Sequence, residues 1–277
     1  MFTIMAKKFI VIVFCVSLCF FYGCAVNPIT GEDQLMLFNR QEEIQIGKQY
    51  APQIEAQLGG RIQNEPIQNY VNAVGQSLAK VSHRPDMQFH FTALNDESIN
   101  AFALPGGYIF ITRGMLEKLN SEAQLAGILG HEIVHVVARH SSEQMSKQIG
   151  FELLLSALTS EDTSRAVVTT ANLSWQIIGL KYSRDDEREA DLAGLDYMVA
   201  AGYNPYGMRE VMQILQDSQG ARSIDFLSTH PSPQNRLDYI ANKIRIKYFN
   251  LAQMKVGTEE YRKKVLDNFL SNKADTG

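Results

Sequence analysis

His131 and His135 stand four residues apart with Glu132 between them, in the run His131-Glu132-Ile133-Val134-His135. Residues four apart share one face of a helix, so both imidazoles can grip a single cation while the glutamate lies beside it. Two histidines and a glutamate among apolar neighbours would be costly to bury unless they coordinate or pair. The pattern points to a zinc ion with a general base next to it, which is the equipment of metal-assisted hydrolysis.

A catalytic zinc needs a third protein ligand and an open position. A histidine six residues after His135 would complete one known arrangement, but that position is Ser141, with Ala138 where a glycine would be needed. His140 lies five residues past His135 and, on an ideal helix, points away from the metal face, so it reads as a surface or second-layer residue. The acidic stretch Ser183-Arg184-Asp185-Asp186-Glu187-Arg188-Glu189-Ala190-Asp191 offers better candidates, with Glu187, Asp186 and Glu189 in competition. The cysteines exclude a zinc deaminase: Cys15, Cys19 and Cys24 contain no Cys-x-x-Cys pair. A metal-stabilised holdase that grips unfolded proteins without cutting them is the competing class. Glu132 weighs against it, because a structural metal site needs no base.

The elements that must position these residues are mostly helical. Ser121 and Gln124 have capping-box spacing ahead of Leu125, Ile128, Leu129, Ile133 and Val136, the helix that carries the histidines. Helices are predicted at about Gln41–Leu58, with Ile44, Ile46, Tyr50, Ile54 and Leu58 facing the core, and at about Glu65–Val81, capped by Asn64. Another spans about Arg184–Ala200, ended by Gly202 and Pro205, and two more follow before a polar tail. Between them Met87, Phe89 and Phe91 alternate with polar residues, and Tyr108–Thr112 is β-rich. Pro105-Gly106-Gly107 has the residues of a tight reversal. The fold class is α+β, predominantly helical, with a small antiparallel sheet. Residues 151–181 read as two helices or a flap.

The composition, 45% apolar and 20% charged over 277 residues, is that of a globular chain with a sizeable core. Lys7 and Lys8 precede an apolar run from Phe9 to Tyr22, too short to span a membrane and suited to a signal peptide. Phe21-Tyr22-Gly23-Cys24 resembles a bacterial lipobox, which implies cleavage before Cys24 and lipidation of it. Such a chain keeps one thiol and no internal disulfide. Ala25 stands where, by resemblance to enteric lipoproteins, an aspartate would signal retention at the inner membrane, so the outer membrane is the expected address. Removing residues 1–23 leaves 24 basic against 30 acidic residues with no basic stripe, so nucleic acid is not an expected partner.

Several stretches together carry a family resemblance: His131–His135, Glu187 with Asp191 one turn on, Asn100-Ala101-Phe102-Ala103-Leu104-Pro105-Gly106-Gly107, Thr229-His230-Pro231 with Asn235-Arg236, and Asn27-Pro28-Ile29-Thr30-Gly31. From Cys24 to about Arg236 the chain resembles the zinc metallopeptidases that include the CAAX prenyl endopeptidase, HtpX, BepA and LoiP. The resemblance implies peptide-bond hydrolysis with zinc held by His131, His135 and Glu187, and Glu132 as the catalytic base. Asp191 is then the acceptor that orients a ligating histidine. It further implies that Asn100, Ala101, Phe102 and Ala103 form an edge strand bordering the zinc cleft, where an extended substrate pairs through its backbone. His230 is either an oxyanion or inhibitory residue at the zinc, by the same resemblance, or an ordinary helix-start histidine. Expected partners are unfolded or misfolded envelope proteins and the membrane. No helical repeat array like BepA's is present, so functions of that extension are not expected. The expected organisation is a signal peptide at 1–23, an extended tether at 24–40, the metallopeptidase domain at 41–245 and a helical or flexible tail at 246–277.

Overall fold

The computed structural model describes residues 24–159, 179–217, 226–231 and 235–274. The expected signal peptide at 1–23 and most of the 151–181 stretch lie outside them. Among the described residues no helix is long and apolar enough to cross a membrane.

The axis of the fold is the histidine-bearing helix α4 (Glu122–Val137), buried along its whole length. Ser121 caps it, its Oγ accepting from the Gln124 amide at 3.3 Å, while the Gln124 side chain reaches the Asn120 amide. α2 (Glu65–Ala79), α6 (Arg184–Ala200) and α7 (Tyr206–Asp217) surround it. Burying side chains such as Leu125, Ile128, Leu129 and Ile133, all 0% exposed, stabilises the core by about 1.5–3 kcal/mol each. Glycines set the closest approach. A Cβ on Gly194 of α6 would lie 3.2 Å from the Gly130 carbonyl carbon and the His131 nitrogen, so the two backbones meet beside the first histidine.

The sheet contains β3 (His90–Leu94), β4 (Ala101–Leu104) and β5 (Tyr108–Thr112) in the order β3-β5-β4. The predominantly helical α+β class is as expected, and β4 is an edge strand packed against α4. Within it the sheet is mixed: β4 and β5 form an antiparallel hairpin, while β3 pairs parallel to β5. The hairpin reverses at Pro105-Gly106-Gly107, whose glycines take φ of 83° and 96°. Because β4 lies beyond β5 rather than beside β3, the first and third strands run the same way.

α1 (Arg40–Gln57) begins at a capping box between Asn39 and Glu42. Its buried face is Glu43, Gly47, Tyr50, Ala51 and Ile54, and Ile44 is exposed, contrary to the apolar spacing. Gly47 explains the rotation, since a Cβ there would meet the Pro105 carbonyl at 2.2 Å. Residues 24–40, expected as a tether, instead hold a hairpin of β1 (Cys24–Val26) and β2 (Asp33–Leu35). Asn27 organises its turn by accepting from the Ile29 amide, and its Nδ2 donates to both carboxylate oxygens of Glu189 at 3.0 Å. The hairpin continues onto α5 (His140–Thr159), where Ser146 Oγ accepts from the Leu37 amide.

The short helices α3 (Arg113–Lys118) and α8 (Phe226–Thr229) were not expected. After α9 (Arg236–Lys247), the tail forms α10 (Thr258–Tyr261) and α11 (Asp267–Ala274), joined by a π turn. Tyr261, Val265 and Phe269 enter the main core, so this stretch is docked.

Candidate metal centre and active site

One turn of α4 brings His131 Nε2 and His135 Nε2 to 3.0 Å from each other. α6 contributes Glu187, whose carboxylate lies 3.4 Å from His135 Nε2 and 3.5 Å from His131 Nε2. Two ligands held tetrahedrally at zinc–nitrogen distances would be about 3.3 Å apart, so the spacing suits one small ion. His230, which follows α8, places Nδ1 2.8 Å from Glu187 Oε1 and 3.2 Å from His131 Nε2. The ligating atoms of these four residues all lie within 4.8 Å of one another, and each side chain is 0% exposed. Beside them both oxygens of Glu132 are buried with no hydrogen-bond partner among the described residues, and His230 Nε2 is 3.7 Å away. A buried carboxylate left without a hydrogen bond in such a place fits a neighbouring cation and a reacting molecule.

Around this centre stands a ring of supports. His131 Nδ1 donates to Asp191 Oδ1 at 3.1 Å, and Asp191 also accepts from Arg236 Nη2 at 2.6 Å and from the Tyr239 hydroxyl. Arg236 Nη2 is 3.4 Å from Glu187 as well. Tyr182 stacks on His135 at 3.8 Å between ring centroids, and Phe226 stacks on His230 at 4.2 Å.

Residues 66–244, more than half of the chain, match the family model described as Peptidase family M48. The chain belongs to peptidase family M48. The beta-barrel assembly-enhancing protease of Escherichia coli (strain K12) is 28% identical to it over 214 residues, 73% of this chain and 44% of that protein. The mitochondrial metalloendopeptidase OMA1 of Arabidopsis thaliana is 35% identical over 163 residues, 59% of this chain and 33% of its own length. Metalloprotease YcaL of Escherichia coli (strain K12) is 25% identical over 178 residues, 61% of this chain and 70% of its own. The chain therefore spans less than half the length of the first two of these relatives.

The charges at this M48 site divide unequally. Burial raises the Glu132 carboxyl above its ordinary value, against the pull of His230 and His131. Burial acts the same way on Glu187, but the charges of His230 and His131 and hydrogen bonds from His135 and His230 hold it well below the carboxylate range. Asp191 is lowered too, because Arg236 and His131 outweigh its burial. Burial keeps His135 well below the imidazole value and hence neutral, the form that ligates. Two carboxylates of one site are thus shifted in opposite directions, Glu187 down and Glu132 up.

Of the acidic residues in competition for the third ligand position, Glu187 is the one beside the histidines. Glu189 is taken by Asn27, and Asp186 caps its own helix at Ser183 and accepts from Gln144. Of the surface and second-layer readings of His140, the second holds, although the chain does not follow the ideal helix. α4 stops at Val137, Arg139 takes φ of 63°, and the turned chain brings His140 back under His135, with Nδ1 2.9 Å from His135 Nδ1 and no exposure. Ala101, Phe102 and Ala103 lie in the edge strand and Asn100 directly before it; all four are buried, and the Phe226 amide donates to the Ile99 carbonyl at 3.3 Å. Arg236, Tyr239 and Tyr182 were not recognised as part of the site from the sequence. Arg236 and Tyr239 are three apart at a helix start, a spacing that by itself signals nothing.

Proposed function

We propose that the chain is a zinc-dependent endopeptidase of the bacterial envelope that cleaves unfolded or unassembled proteins. The observation that carries this reading is the buried Glu132 carboxylate, without a hydrogen-bond partner among the described residues, beside His131, His135 and Glu187. Those three residues would hold the ion, which when bound polarises a peptide carbonyl and makes water acidic near neutral pH. Glu132 takes the proton from the attacking water and delivers it to the leaving amide nitrogen, work suited to a carboxyl raised by burial. Asp191 fixes the His131 ring with Nδ1 protonated and Nε2 free to ligate.

His230 lies against Glu187 and would join the residues holding the ion, and the Phe226 amide bonds the Ile99 carbonyl just before the edge strand. The site is then latent, and substrate enters when the Phe226–His230 segment moves and frees the backbone of Ala101–Ala103 for pairing. The name of the Escherichia coli relative points to the assembly of β-barrels, and the N-terminal signal with Cys24 supports a lipid-anchored, outer-membrane address for this chain.

The test is cleavage of unfolded casein by the zinc-loaded chain and by Glu132→Gln at equal zinc content. Cleavage by the parent and a loss of at least about 10³-fold in the variant are expected. Equal cleavage by both would remove Glu132 from the chemistry. Casein binding without cleavage, by both proteins with zinc present, would favour the holdase class.

A further inference from the structure

We infer that His140 is a positioning residue for the metal ligand His135, the counterpart of what Asp191 does for His131. The inference rests on reading His131, His135 and Glu187 as a metal site. The two histidines of α4 each turn Nε2 toward the centre and Nδ1 away from it. The outward nitrogen of His131 meets a carboxylate; the outward nitrogen of His135 meets a second imidazole, His140 Nδ1, at 2.9 Å.

The tautomers follow from this pairing. A ligating His135 keeps its lone pair on Nε2 and its proton on Nδ1, so it donates to His140 Nδ1. His140 must accept there and carry its own proton on Nε2. That nitrogen is buried, without a hydrogen-bond partner among the described residues, and faces Glu189 Oε2 at 3.6 Å and Asp186 Oδ1 at 3.8 Å. Two carboxylates favour an N–H on the side they face.

The local chain is built to hold this arrangement. Arg139, with its left-handed φ, is tied down by Glu43 Oε1 at 2.9 Å and the Phe38 carbonyl at 2.6 Å. Ser141 hydrogen-bonds the hydroxyl of Tyr182, whose ring stacks on His135. Glu189 is fixed from the other side by Asn27. An ordinary helical continuation past Val137 would have aimed His140 elsewhere. The break at Arg139 therefore places an acceptor behind His135, and such outer partners typically govern metal affinity 10–100-fold.

The experiment compares zinc affinity, by chelator competition, in the full chain and in His140→Asn and His140→Leu. Asparagine presents an acceptor oxygen near the position of Nδ1; leucine presents none. A rise of about 10–100-fold in the zinc dissociation constant is expected for leucine, with the asparagine variant within about threefold of the parent. The absorption bands of the cobalt-substituted site should shift in the leucine variant alone. Nitrogen NMR of the zinc-loaded parent needs no variant to fold, and should show His140 protonated on Nε2. Parent-like zinc affinity in the leucine variant, an asparagine variant as weak as the leucine one, or His140 protonated on Nδ1 would each overturn the inference alone. A parent chain that binds no zinc would overturn it together with the metal-site reading beneath it.

Discussion

Arg236 is the one arginine or lysine, among the described residues, in an ion pair with the buried carboxylates of the site, and replacing it should expose how the centre balances its charge. In Arg236→Leu, Asp191 loses a partner at 2.6 Å and Glu187 one at 3.4 Å, while both stay 0% exposed. With charge centres about 4 Å apart and an effective dielectric near 20, the lost attraction is about 4 kcal/mol. Breaking a buried pair from one side costs about 3–5 kcal/mol by experience elsewhere. Nε and Nη1 of Arg236 find no acceptor among the described residues, so its removal also relieves some desolvation, which places the net near 3 kcal/mol. For a domain of this size that is a fall of roughly 6–12 °C in melting temperature. Calorimetry on the metal-free chain at pH 7 would read it, and the loss should persist in added salt because the pair is dry. Arg236→Lys should recover about half. The metal-loaded forms should differ less, since a divalent cation also neutralises Glu187. A leucine variant within about 1 kcal/mol of the parent would refute the account, and would mean that the histidines alone carry the balance.

Other expectations follow from the same geometry. Because burial raises the folded-state carboxyl of Glu132, its ionisation opposes folding: the penalty is absent below the ordinary value of 4.5 and complete once pH exceeds the folded value. Metal-free Glu132→Gln should therefore melt above the parent at neutral pH, with the gap closing toward pH 4; a gap that is constant with pH would contradict this. Gly194→Ala should cost about 1–3 kcal/mol and weaken metal binding, because a Cβ there meets Met208 and the Gly130–His131 backbone. Gly150→Ala, in open space on α5, should be neutral or slightly stabilising in the same denaturant titration. If the ion is zinc, as proposed, removing it with a chelator should lower the melting temperature by an amount that grows with the free zinc present beforehand, about 4 kcal/mol at a thousandfold excess over the dissociation constant.

The parts of the centre legible in the sequence are those whose spacing is local. His131, Glu132 and His135 are fixed by one helical turn; one turn also relates Glu187 to Asp191, but spacing leaves Asp186 and Glu189 in competition and only the family resemblance singles out that pair. That these two turns face each other depends on Gly130 and Gly194, whose small size is visible in sequence but whose pairing is not. Of the two places the ideal helix leaves open to His140, surface or second layer, the structure takes the second, through a left-handed Arg139 that no residue type announces. The parallel pairing of β3 with β5 rests on strand order, which alternation of apolar residues does not encode. The docked tail did carry a signal: Tyr261, Val265 and Phe269 recur every four residues, the stripe of a helix with one face to bury.

The bifurcated bond from Asn27 to Glu189 also has a mechanical meaning. Asn27 comes three residues after Cys24, and Glu189 shares a helix with Glu187 two residues earlier. A lipid on Cys24, as proposed, would be a bracket rather than a leash: a pull from the bilayer runs through the hairpin straight into α6. Lateral tension or crowding at the membrane surface would then be felt by the helix that presents Glu187, and by α5, which the same hairpin holds.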